Sequence, residues 1–259
     1  MSSDKKRVLI VAGSDPVAGA GLQADLKTVT ALGCYGMTVV TAITVQDSRR
    51  VWRVHPLDGE LVAAQMRACL EDVGADCIKL GMLATERSVA AVADLLEEHP
   101  HIPVVADPVL AGTGGGVLLE RSGHDLFLTR LLPRIALLTP NLPEAARLSC
   151  LPVDSIEEMG RAARHLLALG AGGVLVKGGH GTGAVLTDLL AFGPEIHLFS
   201  GPRLAGPGFH GTGCVLASAI ASGLAAGFSL PEAVTAGRAH LRGAMERALA
   251  LGRGQWLLG

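Results

Sequence analysis

Short runs of apolar, β-branched residues recur along the chain. Each is closed by Gly or Pro, and a helical pattern separates it from the next. That alternation most narrows what the chain can fold into. It predicts strands at 8–12, 37–45, 77–81, 104–107, 135–139 and 174–177, with helices at 21–32, 59–73, 85–98 and 156–169. Such a series reads as an α/β fold, a central and mostly parallel sheet covered by helices on both faces. Beyond Lys177 the pattern changes. Runs at 184–192 and 195–199 flank Gly193 and Pro194, which predicts a hairpin at a sheet edge. A Gly-rich stretch follows, then helices at 212–226 and 231–250. No internal repeat or linker interrupts the chain, so its 259 residues read as one domain, 1–259.

Composition excludes several classes of function. The 22 Lys and Arg against 24 Asp and Glu give a net charge of −2, with no long run of either sign, and aromatics are only 3%. A nucleic-acid surface asks for basic patches and stacking rings, so no nucleic-acid partner is expected. Five Cys with no CxxC pair argue against a disulfide framework or a zinc ribbon and fit a reducing cytoplasm. The first apolar run is too short for a signal segment and reads as a strand. Positions 204–231 carry no Asp, Glu, Lys or Arg, yet glycines break their first half. A buried helix, not a membrane span, is expected there.

In an open α/β sheet, ligands sit beyond the carboxyl ends of the strands. The segments that follow the predicted strands are rich in Gly and polar residues: Gly13 to Pro16, Gln46-Asp47, Met82, Asp107-Pro108-Val109, Pro140-Asn141 and Gly178 to His180. A small-molecule site is expected where they meet. The strongest local signal is HGTGC at 210–214, directly before an apolar helix. Glycines at a helix start let backbone N–H groups converge, and the helix adds partial positive charge. Gly211, Thr212 and Gly213 would then form an anion hole for a phosphoryl group. Cys214 would lie in the first turn, where a thiol pKa falls, which suggests a thiolate base or nucleophile. A plain Gly-rich turn with a small buried Cys explains the same spacing equally well. There is no GxxxxGK[ST], so any ATP would be held without a P-loop. Two glycine patterns resemble dinucleotide fingerprints, but the one at 206–211 comes late, holds Pro207 and leads to no strand ending in an acid, and the one at 179–184 is followed by a strand rather than a helix.

Single residues leave alternatives open. Asp107 either opens a turn or holds Mg²⁺. Asn141 and Glu144, with Pro143 between, form either a capping box or a pair of oxygen ligands. Asp25 either complements a helix dipole or serves a site. Gln46 is either a solvated strand end or a reader of a heteroaromatic edge. Lys177 either neutralises phosphate or snorkels. His180 and His210 read as loop histidines.

As an ordered set the motifs are familiar. AGSDPVAGAGLQADLK (12–27), ALGCYG (31–36), TAITVQ (41–46), KLGM (79–82), TPNLPEA (139–145), VKGGH (176–180) and HGTGC (210–214) resemble the hydroxymethylpyrimidine/phosphomethylpyrimidine kinases of thiamine biosynthesis. The resemblance implies a three-layer ribokinase-like fold, often dimeric, and ATP-dependent phosphorylation of a hydroxymethylpyrimidine and then of its monophosphate, with Mg²⁺. It implies that Asp25 and Gln46 contact the pyrimidine, with Gly13, Met82 and Val109 lining the pocket. Asn141 and Glu144 match the N-x-x-E element that organises metal and phosphate. Asp107 is placed with Glu144 at the metal, Lys177 and Thr212 with Asn141 at ATP. Cys214 takes the place of the Asp base of the superfamily's sugar kinases, beside Gly211 and Gly213. Departures occur after Asp107, where the family's Met, Lys and Ser-Gly-Asp give way to Pro108-Val109-Leu110 and a Gly-rich run to Gly116. Loss of that Lys and Asp bears on the second phosphorylation. Gly206-Pro-Gly-Phe209 replaces a Lys-Asn-Thr type segment, and Val215 a usual Thr. A pyridoxal or pyridoxine kinase and a non-catalytic pyrimidine-binding regulator are the competing readings.

Overall fold

The computed structural model describes residues 5–110, 118–180 and 183–258, and the side chain of His180 is not among its described parts. The altered run at 111–116 therefore lies outside the described residues. In chain order the elements are β1 (Arg7–Ser14), α1 (Gly21–Ala31), β2 (Tyr35–Gln46), β3 (Val51–Pro56), α2 (Gly59–Asp72), β4 (Cys77–Leu80), α3 (Glu86–Glu98), β5 (Val104–Ala106), α4 (Arg121–Leu126), β6 (Leu137–Leu138), α5 (Leu142–Ser149), α6 (Ile156–Ala168), β7 (Val174–Val176), β8 (Val185–Phe192), β9 (Glu195–Pro202), β10 (Phe209–His210), α7 (Thr212–Ala225), α8 (Leu230–Glu246) and β11 (Trp256–Leu257).

One large sheet runs in the order β3-β2-β1-β4-β5-β6-β7-β8-β9. Strands β2, β1, β4, β5, β6 and β7 pair in parallel, while β3, β8 and β9 are antiparallel. The chain leaves β1 towards β2 on one side and returns to β4 on the other. The strand order therefore reverses between β1 and β4, and the crevice beyond their carboxyl ends is where such a sheet binds ligands.

The period-2 alternation of strand side chains explains the two helical layers. On β1, Leu9 and Val11 face a core shared with α2, α3 and α6, while Val8 and Ile10 face a second core with α1, α7 and α8. The same division runs through β5, where Val104 and Ala106 face one way and Val105 the other. Both faces being covered, the central strands are apolar throughout. Helix α7 is buried almost all round, because it is clasped between the sheet, α1 and α8. This accounts for the uncharged stretch at 204–231, and no described helix is long and apolar enough to cross a membrane.

Most expected elements are present with ends moved by one or two residues. The expected hairpin is the β8–β9 pair at the sheet edge. The sequence reasoning passed over β3, an edge strand whose residues are half-buried or exposed and so show no buried face. It also passed over helical turns from Arg121 to Arg134, which Gly123 and Pro133 disguise. The strand expected at 135–139 is only Leu137–Leu138. The last helix stops at Glu246, after which Leu249 pairs with Leu257.

One charged cluster lies inside the second core. Lys79 on β4 and Asp25 on α1 are both 0% exposed, with Nζ to Oδ2 at 2.7 Å. Ser218 on α7 donates to the other Asp25 oxygen at 2.8 Å. Asp25, expected as a pyrimidine contact, is thus sealed beneath the cleft with both oxygens taken by other elements. Breaking a buried pair from one side leaves an unpaired charge, whereas exchanging all partners for apolar groups can be nearly neutral. Lys79→Met is expected to cost about 3–5 kcal/mol in urea unfolding, with most of it recovered by the triple change Lys79→Met, Asp25→Leu, Ser218→Ala. Leu9→Ala, at a fully buried position of β1, is expected to cost about 2–5 kcal/mol in the same measurement. Leu251→Ala, at a position 74% exposed, is expected to stay within about 0.5 kcal/mol.

Candidate active site

The crevice at the strand-order reversal has an apolar floor. Met82, just beyond β4, lies against Gly13 at the end of β1, so closely that a side chain at 13 would run into its terminal methyl. Val109 packs with Met82, Ala42 and Ala84 in the same small cluster. Thr41 Oγ1 donates to Met82 O at 2.6 Å, and Thr44 Oγ1 donates to Ser14 O at 2.8 Å, which ties β2 to both neighbouring segments. Gln46 ends β2, half-buried, and its side-chain amide bonds no other described group. Three of the five residues expected at the ring, Gly13, Met82 and Val109, are thus brought together; Gln46 stands at the end of the neighbouring strand, and Asp25 lies below.

Across the crevice, Gly211 precedes α7 with φ +81°, and a side chain there would strike the carbonyl of Gly19. Glycine satisfies both constraints. No side chain caps α7, so amides of its first turn remain available to an anion. A Cβ at Gly213 would stand 2.8 Å from Asp107 Oδ2 and 3.2 Å from Lys177 Nζ. The helix start therefore rests directly on the Asp107–Lys177 ion pair, whose Nζ and Oδ1 are 2.6 Å apart. Thr139 Oγ1 donates to the same Asp107 oxygen at 3.3 Å.

Cys214 is partly buried, and its sulfur meets the backbone N–H of Gly21 at the start of α1. Its thiol does not have the lowered pKa expected from a helix start. Burial pushes it up to about 12, Lys79 opposes this, and Asp25 and Asp107 add to it. Removal from water and two nearby carboxylates outweigh the helix dipole.

Asn141 and Glu144 realise the capping box in full. Glu144 N donates to Asn141 Oδ1 at 2.9 Å, and Asn141 N donates to Glu144 Oε2 at 2.8 Å. The cap also places Glu144 in the electrostatic field of the ion pair. Its carboxyl is pushed up to about 7, chiefly by burial, with Lys177 opposing and Asp107 contributing. Asn141 bridges to Lys177 along the backbone, and Lys177 N donates to Pro140 O at 2.8 Å. Capping and site-building are therefore one arrangement. Mg²⁺ fits this donor set: two hard carboxylates, one of them protonation-prone because it is buried beside the other. Among the described residues no group of three or more His, Cys, Asp or Glu is placed to hold a metal ion.

Sequence reasoning missed Lys79 and Ser218, which hold Asp25, and Asp15, which pairs with His210 at 3.1 Å. The signal for the last was faint. The partner of Asp15 is 195 positions away, beyond the reach of any local pattern.

The sequence profile described as phosphomethylpyrimidine kinase matches residues 15–258. A hydroxymethylpyrimidine/phosphomethylpyrimidine kinase of Streptomyces coelicolor is 46% identical over 247 residues, covering 95% of this chain and 91% of that protein. A thiamine biosynthesis bifunctional protein of Geobacter sulfurreducens is 44% identical over 95% of this chain, which spans only half (50%) of that longer protein. The pyridoxal kinase of Staphylococcus aureus, solved with AMP-PCP and pyridoxal, superposes with a TM-score of 0.90 at 34% identity, covering 98% of this chain and 93% of that one. With the profile spanning nearly all its length, relatives at up to 46% identity and a superposition of 0.90, the chain belongs to the phosphomethylpyrimidine kinase family, of ribokinase-like fold.

Proposed function

We propose that the chain transfers the γ-phosphoryl group of ATP to the hydroxymethyl group of 4-amino-5-hydroxymethyl-2-methylpyrimidine, and then to the resulting monophosphate, in thiamine biosynthesis. The observation that carries this reading is the meeting of two half-sites. Gly13, Met82 and Val109 form an apolar cluster, Val109 N donates to Asp107 O at 2.9 Å, and Asp107 with Lys177 lies against the uncapped helix start at Gly213. One is suited to a flat ring, the other to phosphate charge.

In this reading Met82 and Val109 sandwich the ring and Gln46 pairs with its polar edge. Amides of Gly211, Thr212, Gly213 and Cys214 receive the phosphoryl oxygens. Lys177 neutralises charge as the bond to the ADP oxygen breaks and the substrate oxygen bonds to phosphorus, the hydroxyl proton passing to the transferred phosphoryl group and on to solvent. Asn141 fixes Glu144, and Asp107 and Glu144 would hold Mg²⁺, which supplies charge neutralisation between the phosphates. A thiol raised to about 12 is neutral in the free protein at pH 7. Cys214 therefore orients the substrate hydroxyl as a hydrogen-bond partner. Positioning and charge stabilisation carry the rate, as phosphoryl transfer requires.

The finer expectations belong to the same proposal. Five free cysteines suit a reducing cytoplasm. Exposed Tyr35, Ile43 and Val45 on β2 suit a homodimer. The pyridoxal kinase reading draws on the 0.90 superposition, so it is the direct competitor.

Incubation with MgATP and each ring alcohol, followed by mass spectrometry, separates the readings. A pyrimidine product carrying one and then two phosphates is expected. Phosphorylated pyridoxal alone would select the competitor, and ring binding without ATP consumption would leave a non-catalytic binder. For Cys214, Cys214→Ala is expected to lower kcat about tenfold, with Cys214→Ser restoring most of it, since a hydroxyl also orients. A loss of about 10²–10⁴ in both variants would instead make the thiolate a general base.

A further inference from the structure

Asp15 closes the loop between β1 and α1 and is 0% exposed. Its Oδ1 accepts from Val17 N at 3.0 Å, and its Oδ2 accepts from Gly19 N at 3.1 Å and Ala20 N at 2.8 Å. His210 Nε2 donates to the same Oδ2 at 3.1 Å. Burial would raise this carboxyl, but the bonds from His210, Ala20 and Val17 hold it below the usual carboxylate range. Around it, Asp15 N donates to Gln23 Oε1 at 2.9 Å, and Gln23 Nε2 donates to Ser14 Oγ at 2.8 Å. These bonds tie the loop to the end of β1 and to the start of α1.

His210 is buried on the other side of the crevice. It lies in β10, is held by pairing with Leu257 of β11, and immediately precedes Gly211. The two ends of this single bond therefore belong to the two half-sites. Asp15 stands two positions after Gly13 of the ring slot. His210 stands at the entrance to the helix start that receives phosphate. The loops also touch directly, since a side chain at Gly19 would run into the His210 ring and one at Gly211 into the Gly19 carbonyl.

We propose that the Asp15–His210 hydrogen bond is a positioning bridge that sets the separation between the ring alcohol and the transferring phosphoryl group. The inference rests on the two-substrate reading given above. Neither residue touches a substrate in it. The bridge acts by holding the ring loop at a constant distance from the first turn of α7. In-line transfer demands reacting atoms within about 3–3.5 Å, and a misplacement of about 1 Å costs about a hundredfold. A hydrogen bond to a carboxylate between segments fixed to different elements resists such a shift more strongly than apolar contact does, because it is directional.

The test compares His210→Phe, which keeps the ring and loses the donor, with His210→Gln, whose amide nitrogen can occupy the place of Nε2. The Phe variant is expected to lower kcat about a hundredfold while its dissociation constants for AMP-PCP alone and for the ring alcohol alone stay within about threefold. The Gln variant is expected to recover most of the turnover. Should the Phe variant fail to fold, His210→Asn, too short to span to Asp15, takes its place with the same expectations. Unchanged kcat in the bridge-less variant overturns the proposal. So does a kcat loss accompanied by loss of either single-ligand affinity, or a Gln variant as slow as the Phe variant. A wild-type chain that phosphorylates no ring alcohol would instead sink the activity reading, a result distinct from any of these.

Discussion

Helix α7 starts in contact with two other parts of the chain, and that approach sets the geometry of the whole crevice. At Gly211 the backbone meets the carbonyl of Gly19; at Gly213 it settles on Asp107 and Lys177. Each contact is backbone against a rigid partner, because Lys177 is fixed to Pro140 and Asp107 to Thr139. A side chain at 211 would run into the Gly19 backbone and push the helix start and the loop around Gly19 apart, whereas one at 213 would press on the ends of the Asp107 and Lys177 side chains. Two glycines therefore let segments that are distant in sequence approach closely.

The local layer of this protein was legible because its physics is local. Strand alternation, helix periodicity and the Gly-Thr-Gly-Cys turn depend on neighbouring residues, so most of the strands and helices and the start of α7 could be placed within a residue or two. The capping box at Asn141 and Glu144 was legible for the same reason, since both partners sit on one turn. What sequence could not supply was the identity of distant partners. The family resemblance made Asp25 a pyrimidine contact, yet its partners arrive from β4 and α7 and enclose it. The lowered thiol expected at Cys214 failed likewise. The helix dipole is read from one element, whereas the opposing burial and carboxylates come from three others. Strand β3 escaped because an edge strand with no buried face has no periodic signature.

Local and distant roles are not exclusive, and Glu144 illustrates this. As the third residue of α5 its carboxylate caps the helix, and one oxygen is committed to the Asn141 N–H. The same commitment fixes where the carboxylate stands relative to Asp107 and Lys177. A capping box thus serves as the mount for a charged group, which is why asking whether the motif was a cap or a ligand pair had no single answer. The mount costs little beyond the cap itself, because the orientation is already paid for by helix formation.

The buried Lys79–Asp25–Ser218 cluster poses a harder question, since an apolar triad could fill the same space with less desolvation. Stability alone does not account for it. The three side chains join β4, α1 and α7, the elements that carry Met82, Gly21 and Cys214 at their cleft ends. Ser218 lies one helical turn beyond Cys214, so it faces the same side of α7. A directional bond at Ser218 fixes the rotation of α7 about its own axis, which apolar contact leaves softer. Rotation of α7 is the motion that would turn the Cys214 sulfur and the first-turn amides away from the ring slot. The charged cluster therefore does beneath the cleft what the Asp15–His210 pair does at its rim: one resists rotation of the helix start, the other resists its separation from the ring loop.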